Sequence, residues 1–178
     1  MKILCFAGSN SSQSINQKLV RATMKHFEGQ ELTLVDLNDY ETSIFSIDRE
    51  KKGFPYEIQQ FVQLIAAHDA IIVSLAENNS TYTAAFKNIL DWSSRLNLKF
   101  FAEKPMLLMS TSPGGYGGGN VMNAAKNQFP KHAAQIVETF SLPAFQKNFD
   151  AEKLEISDNE LKSLHLEKIE QFKTALGI

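Results

Sequence analysis

Apolar residues recur along the chain in two different patterns. Short, nearly continuous apolar runs bounded by polar turns are typical of strands buried on both faces, and they predict five strands, at 3–7, 31–37, 70–75, 106–110 and 136–140. Apolar positions repeated every three to four residues predict helices at 19–27, 56–68, 84–96, 120–129 and 159–176. Residues 40–54 show no clear period, so we predict an irregular connection there.

Strands and helices alternate, which favours an α/β fold with one parallel sheet, helices on both faces and right-handed crossovers. A five-stranded sheet in the order 2-1-3-4-5 brings strands 1, 3 and 4 side by side. Ligands of such sheets bind outside the carboxyl ends of the strands, so we expect one crevice lined by the loops 8–16, 76–83 and 110–119. The length of 178 residues predicts a single domain, 1–178.

The first of these loops carries four serines between strand 1 and the first helix, and Asn16 follows them. A helix start attracts anions, because its free N–H groups and the positive end of its dipole both favour a phosphate of roughly −1.5 to −2 charges. Ser14 or Asn16 could instead simply cap the helix. One cap needs one such residue rather than a run of them, so the loop predicts a phosphate site.

The third loop continues from Ser112 and Pro113 into a cluster of glycines at 114–119. On its own, such a cluster indicates a mobile turn. Its position at a strand end favours a second interpretation, in which main chain without β-carbons approaches a flat ligand and offers it N–H donors.

The net charge of −2 provides no basic surface for nucleic acid and no polybasic segment for a membrane, so a small molecule is the expected partner. No stretch approaches the ~20 apolar residues of a membrane span, and the N-terminal apolar run is too short for a signal peptide, so we expect the cytoplasm. Cys5 is the single cysteine and lies in an apolar strand, which excludes an internal disulfide and favours a small buried residue over a nucleophile.

Several other chemistries lack their motif. Gly8 is not followed by the two further glycines of a dinucleotide-binding fingerprint, and the chain has no Gly-Lys-Ser/Thr triplet for a nucleoside triphosphate. The four histidines lie in separate elements without ligand spacing, and the Gly-x-Ser-x-Gly elbow of a serine hydrolase is missing. We therefore assign no metal and do not favour a hydrolase.

Three motifs together resemble those of the NAD(P)H-dependent FMN reductase family, flavodoxin-like flavoenzymes that include quinone, azo-dye and chromate reductases. Gly8-Ser9-x-Ser11-x-x-Ser14-x-Asn16 is similar to the family's phosphate loop, Gly-Ser-x-Arg-x-x-Ser-x-Asn. Residues 76–79 (Ala-Glu-Asn-Asn) and 87–92 (Lys-Asn-Ile-Leu-Asp-Trp) are similar to its Pro-Glu-Tyr-Asn and Lys-Asn-x-x-Asp-Trp signature, and 110–115 to its glycine-bearing flavin loop. The resemblance covers nearly the whole chain.

The resemblance implies FMN rather than FAD as cofactor, and NAD(P)H as co-substrate. Hydride would pass from the nicotinamide to flavin N5 and then to a small acceptor of the quinone, flavin, azo or metal-ion class, in a ping-pong sequence without a catalytic acid, base or nucleophile. The implied cofactor-binding residues are Ser9, Ser11, Ser14, Ile15 and Asn16 for the phosphate, and Ala76, Glu77, Asn78, Asn79, Ser112, Pro113, Gly114 and Gly115 for the flavin.

The chain departs from the family pattern at three places. Ser11 replaces an arginine, which removes a charged fork from the phosphate site. Asn78 replaces the tyrosine, and Ala76 with Thr83-Ala84 replaces the proline and Pro-Gly that stiffen the second loop. Two alternatives share the fold: an FMN-binding electron carrier and a flavin-free interaction module. Carriers of this kind are usually strongly acidic, so the nearly neutral balance favours the enzyme.

The helix predicted at 84–96 has a wide apolar surface. Its apolar residues spread over an arc of roughly 160°, more than the ~100° needed to face a sheet, and Trp92 lies at the edge of this arc. We therefore predict a homodimer or homotetramer built on this helix. In the alternative, residues 97–101 cover Trp92 within one chain.

Overall fold

The computed structural model describes residues 1–178 and contains one large sheet and two small hairpins. The strands in chain order are β1 (Lys2–Gly8), β2 (Glu31–Val35), β3 (Ala70–Leu75), β4 (Glu77–Asn78), β5 (Thr81–Tyr82), β6 (Pro105–Thr111), β7 (Gln135–Leu142), β8 (Phe149–Asp150) and β9 (Glu155–Ile156). The large sheet is parallel, in the order β2-β1-β3-β6-β7. Counted as its first to fifth strands, this is the predicted order 2-1-3-4-5, so the predicted flavodoxin-like fold is confirmed.

Helices cover both faces of the large sheet. They are α1 (Ile15–Met24), α2 (Ile47–Glu50), α3 (Tyr56–Ala66), α4 (Ala84–Leu96), α5 (Gly119–Gln128), α6 (Phe145–Asn148) and α7 (Asn159–Leu176). On one face, Leu19 of α1 and Phe172 of α7 are buried against the sheet. On the other face, α3, α4 and α5 bury Phe61, Phe86 and Val121. A sheet buried on both faces explains why its strands are continuous apolar runs.

Element boundaries follow the predictions where local signals are strong. α4 and α7 span the predicted residues. β2 ends at Val35, earlier than predicted, because the Asp36 side chain accepts a hydrogen bond from the Asn38 N–H (2.9 Å) and starts a 3-10 turn. α5 ends at Gln128, and a second 3-10 turn follows it, since Pro130 has no N–H with which to continue the helix.

Short elements lie outside the predictions. The connection at 40–54, predicted as irregular, contains α2, and the second loop forms the hairpin of β4 and β5. After β7 the chain forms α6 and then the hairpin of β8 and β9. These elements are two to four residues long, too short for an apolar period to develop.

Trp92 is buried within the chain, with 1% residual exposure. Its indole N–H donates to the Ser43 carbonyl (2.8 Å), and the rings of Phe45 and Phe54 pack edge-on against it at centroid distances of 5.1 and 6.1 Å. The connection before α3 therefore covers Trp92, at the edge of the apolar arc of α4. The prediction of a subunit interface at Trp92 is wrong, because the side chain is covered within the chain, by residues of 43–54 that the alternative interpretation did not name.

No helix of the chain combines the length and the apolar character needed to cross a bilayer. Cys5 is fully buried in β1, and burial raises the pKa of its thiol to about 12. The thiol is therefore protonated at neutral pH, which agrees with its interpretation as a small buried residue rather than a nucleophile.

Candidate functional site

The loops after β1, β3 and β6 meet at the carboxyl edge of the sheet around a cleft of about 270 Å³. Ten of the predicted cofactor-binding residues line this cleft: Ser9, Ser11, Ser14, Ile15, Asn16, Ala76, Glu77, Asn78, Ser112 and Pro113. The other three, Asn79, Gly114 and Gly115, lie outside its lining. These residues are distant in sequence but lie together because β1, β3 and β6 are neighbours in the sheet.

Three of the four serine hydroxyls in the first loop accept a hydrogen bond from a backbone N–H two or three residues further on. Ser9 accepts from Ser11, Ser11 from Gln13, and Ser14 from Gln17, each at 3.2 Å. Ser14 is therefore the cap of α1, as the alternative interpretation proposed. Because each oxygen acts as an acceptor in these turns, each hydroxyl hydrogen is left to donate to a ligand.

The first turn of α1 adds backbone donors to these hydroxyls. Ile15 and Asn16 occupy the first two helical positions, where the geometry of a helix leaves the N–H groups without a carbonyl partner. With the positive end of the helix dipole, these groups suit a phosphate. No lysine or arginine lines the cleft, so the donors for an anion here are neutral groups.

The side chain of Asn16 is buried, with 2% exposure, and both atoms of its amide are hydrogen-bonded within the chain. Its amide oxygen Oδ1 accepts hydrogen bonds from Ser74 Oγ (2.7 Å) and from the Thr111 N–H (3.0 Å), while Nδ2 donates to the Thr111 carbonyl (3.1 Å). The donors of Asn16 without a partner in the chain are therefore its main-chain N–H and the second hydrogen of Nδ2. The side chain joins the first loop to the ends of β3 and β6.

The second loop is stiffened by hydrogen bonds and turn geometry. β4 and β5 pair directly, and Asn79 and Ser80 between them have φ values of 49° and 62°, as in the two-residue type I′ turn that matches strand twist. Thr83 caps α4 by accepting from the Phe86 N–H (3.2 Å), and its hydroxyl donates to the Gly8 carbonyl (3.0 Å). These contacts fix the loop without the prolines of the family pattern, and they place Asn79 at the hairpin tip.

Three glycines of the third loop serve the packing of the chain itself. Gly118 has a φ of +79°, and a β-carbon there would lie 3.0 Å from the β-carbon of Ser110. Gly117 has a φ of +62°, and a β-carbon there would lie 3.0 Å from the backbone nitrogen of Pro143. A β-carbon at Gly119 would lie 2.5 Å from the ring of Tyr116. Gly114 and Gly115 are exposed and have no such neighbours, so of the loop's glycines these two remain open to a ligand.

Three lining residues were missed by the sequence reasoning: Gln13, Thr111 and Gln146. Gln13 and Thr111 lie within the predicted loops 8–16 and 110–119, so their positions could have identified them as lining residues. Gln146 lies in α6 after β7, the neighbour of β6. The rule that ligands bind at the carboxyl ends of strands could have indicated this fourth loop.

Fold and site together define a flavodoxin-like oxidoreductase with a phosphate-type loop at the edge of its sheet. The chain belongs to the NADPH-dependent FMN reductase family, whose sequence model matches residues 1–147 and so includes every residue that lines the cleft. The predictions of an NAD(P)H-dependent reductase, with FMN as cofactor and NAD(P)H as co-substrate, are confirmed by this membership.

The chain is similar in sequence to a plant reductase and in structure to two bacterial flavoenzymes. An NADPH:quinone oxidoreductase of Arabidopsis thaliana is 30% identical over 169 residues, which cover 85% of this chain and 80% of the relative. The flavoenzyme NAD(P)H:(acceptor) oxidoreductase of Paracoccus denitrificans superposes with a TM-score of 0.73 at 22% identity, covering 97% of each chain. An FMN-dependent NADH-azoreductase of Bacillus anthracis, solved with FMN, gives 0.64 at 12% identity, over 98% of this chain and 99% of its own. At these identities the two structures support the fold alone.

Proposed function

We propose that the cleft binds one FMN and that the protein passes hydride from NADH or NADPH through it to a small acceptor. The proposal is carried by one observation: hydroxyl and amide donors of the first loop converge in a single cleft with the second and third loops. The acceptor would be of the quinone, flavin, azo or metal-ion class. The name of the Arabidopsis relative, an NADPH:quinone oxidoreductase, favours a quinone.

The phosphate of FMN would be bound by the hydroxyls of Ser9, Ser11 and Ser14 and by the N–H groups of Ile15 and Asn16. This set of donors matches one phosphate, and the other lining residues supply no second set for the diphosphate of FAD. The second and third loops, which line the rest of the cleft, would bind the ring through their main chain. Backbone N–H groups there suit the negative charge that a reduced flavin gathers.

FMN, when bound, supplies the acceptance and donation of hydride, and the chain supplies binding and orientation. Glu77 is the single ionisable side chain that lines the cleft, and its carboxylate is hydrogen-bonded to the first turn of α5. No side chain is therefore placed to act as a general acid or base. A ping-pong sequence, in which nicotinamide and acceptor occupy the same place in turn, would need no such group.

Two alternatives differ from this proposal in what they bind and reduce. An electron carrier would hold FMN without oxidising NAD(P)H, and an interaction module would hold no flavin. The net charge of −2 favours the enzyme over the carrier. The single domain, the location in the cytoplasm and the assembly into a homodimer or homotetramer stay predictions.

Absorbance spectroscopy of the purified protein, reconstituted with FMN and freed of oxygen, separates the three functions. We expect NADH or NADPH to bleach the flavin absorbance. Colour without bleaching would identify a carrier, and a failure to take up FMN would exclude a flavin function. Clear preference for FAD would contradict the single phosphate site. Double-reciprocal plots with a quinone acceptor should give parallel lines at different NADPH concentrations, and intersecting lines would contradict the ping-pong sequence.

A further inference from the structure

Glu77 lines the cleft, but its carboxylate is directed at the first turn of α5. Oε2 accepts a hydrogen bond from the Val121 N–H (2.9 Å), and Oε1 accepts one from Asn120 Nδ2 (3.1 Å). Glu77 belongs to the hairpin that forms the second loop, whereas α5 follows directly on the glycines of the third loop. The side chain thus connects the two loops expected to bind the flavin ring.

The Glu77 carboxylate caps α5, whose preceding residue provides no side-chain cap. α1, α4 and α7 each begin with a side-chain cap from the preceding residue, namely Ser14, Thr83 and Asp158. α5 is preceded by Gly118, which has no side chain with which to cap it. A carboxylate is the group that the free N–H groups and the positive end of a helix dipole favour most. Here it comes from 44 residues earlier in the chain.

We propose that Glu77 is a positioning residue of the cofactor site, because its carboxylate ties the third loop to the second. The inference rests on the proposed function, since it concerns binding of the flavin ring. The near end of the third loop is held by the segment after β7, where the Ala144 N–H donates to the Gly114 carbonyl (2.9 Å) and the Phe145 N–H donates to the Ser112 carbonyl (3.1 Å), and α5 anchors the far end of the loop. Removal of the Glu77 carboxylate breaks both hydrogen bonds between the hairpin and the start of α5. The second and third loops can then move relative to each other, which weakens binding of the flavin ring.

The test compares Glu77→Ala with the wild type in fluorescence titrations with FMN and with riboflavin. Both ligands contain the ring, so both dissociation constants should rise by a similar factor, about five- to tenfold. Glu77→Gln should recover most of the affinity, because its amide oxygen can still accept from the Val121 N–H and the Asn120 amide can turn to accept from its NH2 group. Asn120→Ala removes one of the two hydrogen bonds and should cause a smaller rise, which keeps the proposal testable if Glu77→Ala does not fold.

Asp158→Ala is the matched control. It removes the cap of α7, where Asp158 Oδ1 accepts from the Leu161 N–H (2.9 Å), and Asp158 does not line the cleft. This variant should lower the melting temperature about as much as Glu77→Ala and leave both dissociation constants unchanged. The proposal is overturned if Glu77→Ala lowers the melting temperature but neither affinity, if it weakens FMN alone, or if Glu77→Gln is as weak as Glu77→Ala. A wild type that binds neither flavin overturns the proposed function instead.

Discussion

Asn16 pairs with both backbone groups of Thr111, accepting from its N–H at 3.0 Å and donating to its carbonyl at 3.1 Å. The same amide oxygen accepts from Ser74 Oγ at 2.7 Å. A single side chain in the first turn of α1 therefore ties together the carboxyl ends of β3 and β6, and all three residues are buried. This arrangement orients the first loop toward the other two independently of any ligand.

Replacing Asn16 by alanine should lower the free energy of unfolding by about 3 kcal/mol. The reason is that the variant leaves the Thr111 backbone groups and the Ser74 hydroxyl buried without a partner. Urea unfolding measures the change. Asn10→Ala is the control, because Asn10 is exposed in the same loop and its side chain makes no hydrogen bond, so its effect should stay within about 0.5 kcal/mol. Equal stability of the two variants would show that the Asn16 contacts contribute nothing.

Ser11→Arg should tighten FMN binding several-fold, roughly 1 kcal/mol, and leave riboflavin binding nearly unchanged, since only FMN carries a phosphate. Ser11 is exposed and lines the cleft, where it stands in place of the family's arginine. For the same reason the wild-type protein should lose part of its flavin on dialysis and regain activity when FMN is added. Fluorescence titration with both ligands measures the effect.

Ser12→Arg is the control for this change. Ser12 is exposed in the same loop but does not line the cleft, so it adds the same charge without a direct approach to the phosphate. The placement of the phosphate beside Ser11 is contradicted if the two variants tighten FMN equally, or if Ser11→Arg weakens FMN or shifts both ligands alike.

Trp92→Ala should destabilise the chain by about 3 to 5 kcal/mol, because it removes a fully buried ring together with the hydrogen bond to the Ser43 carbonyl. Trp92→Phe keeps most of the packing and should cost less. Denaturant unfolding measures both values. In sedimentation at matched concentration, the folded variants should have the same oligomeric state as the wild type. Dissociation of folded Trp92→Phe would restore the idea of an interface at this residue.

His165 makes stability depend on pH. It is buried between α7 and α1, with its Nε2 3.0 Å from Thr23 Oγ1, and the Thr23 hydroxyl donates to the Leu19 carbonyl at 2.9 Å. His165 Nε2 is therefore the donor to Thr23. Burial, with a smaller effect of the neighbouring His26, lowers the pKa of His165 to about 4.

The unfolded chain takes up the His165 proton near its ordinary pKa of about 6.5, whereas the folded chain takes it up only near 4. The free energy of unfolding should therefore fall as the pH is lowered through this window, by up to about 3 kcal/mol, and this contribution should be constant above it. Urea unfolding across the window measures the slope. His165→Gln cannot titrate and should show a shallower slope, and equal slopes in variant and wild type would rule out His165 as the cause.

Much of the architecture is readable from local patterns. The apolar runs of β1, β3 and β6 identify three strands buried on both faces, and the loops after them carry the serines and glycines of the cleft. The helical periods of α4 and α7 extend over several turns, which is why their ends are predicted correctly. Family motifs in the same loops then identify the flavin reductase.

The sequence by itself determined the strands and the three loops, because apolar periodicity is a property of neighbouring residues. The order of the sheet was predicted from the known strand order of this kind of fold, not from a residue pattern. Only the tertiary structure decided what individual side chains do. Asn16 joins strand ends through its side-chain amide, Glu77 caps a distant helix, and Trp92 is covered by the connection before α3. Their partners lie 95, 44 and 49 residues away in the chain, respectively, so no local pattern could indicate these contacts before the fold brought the residues together.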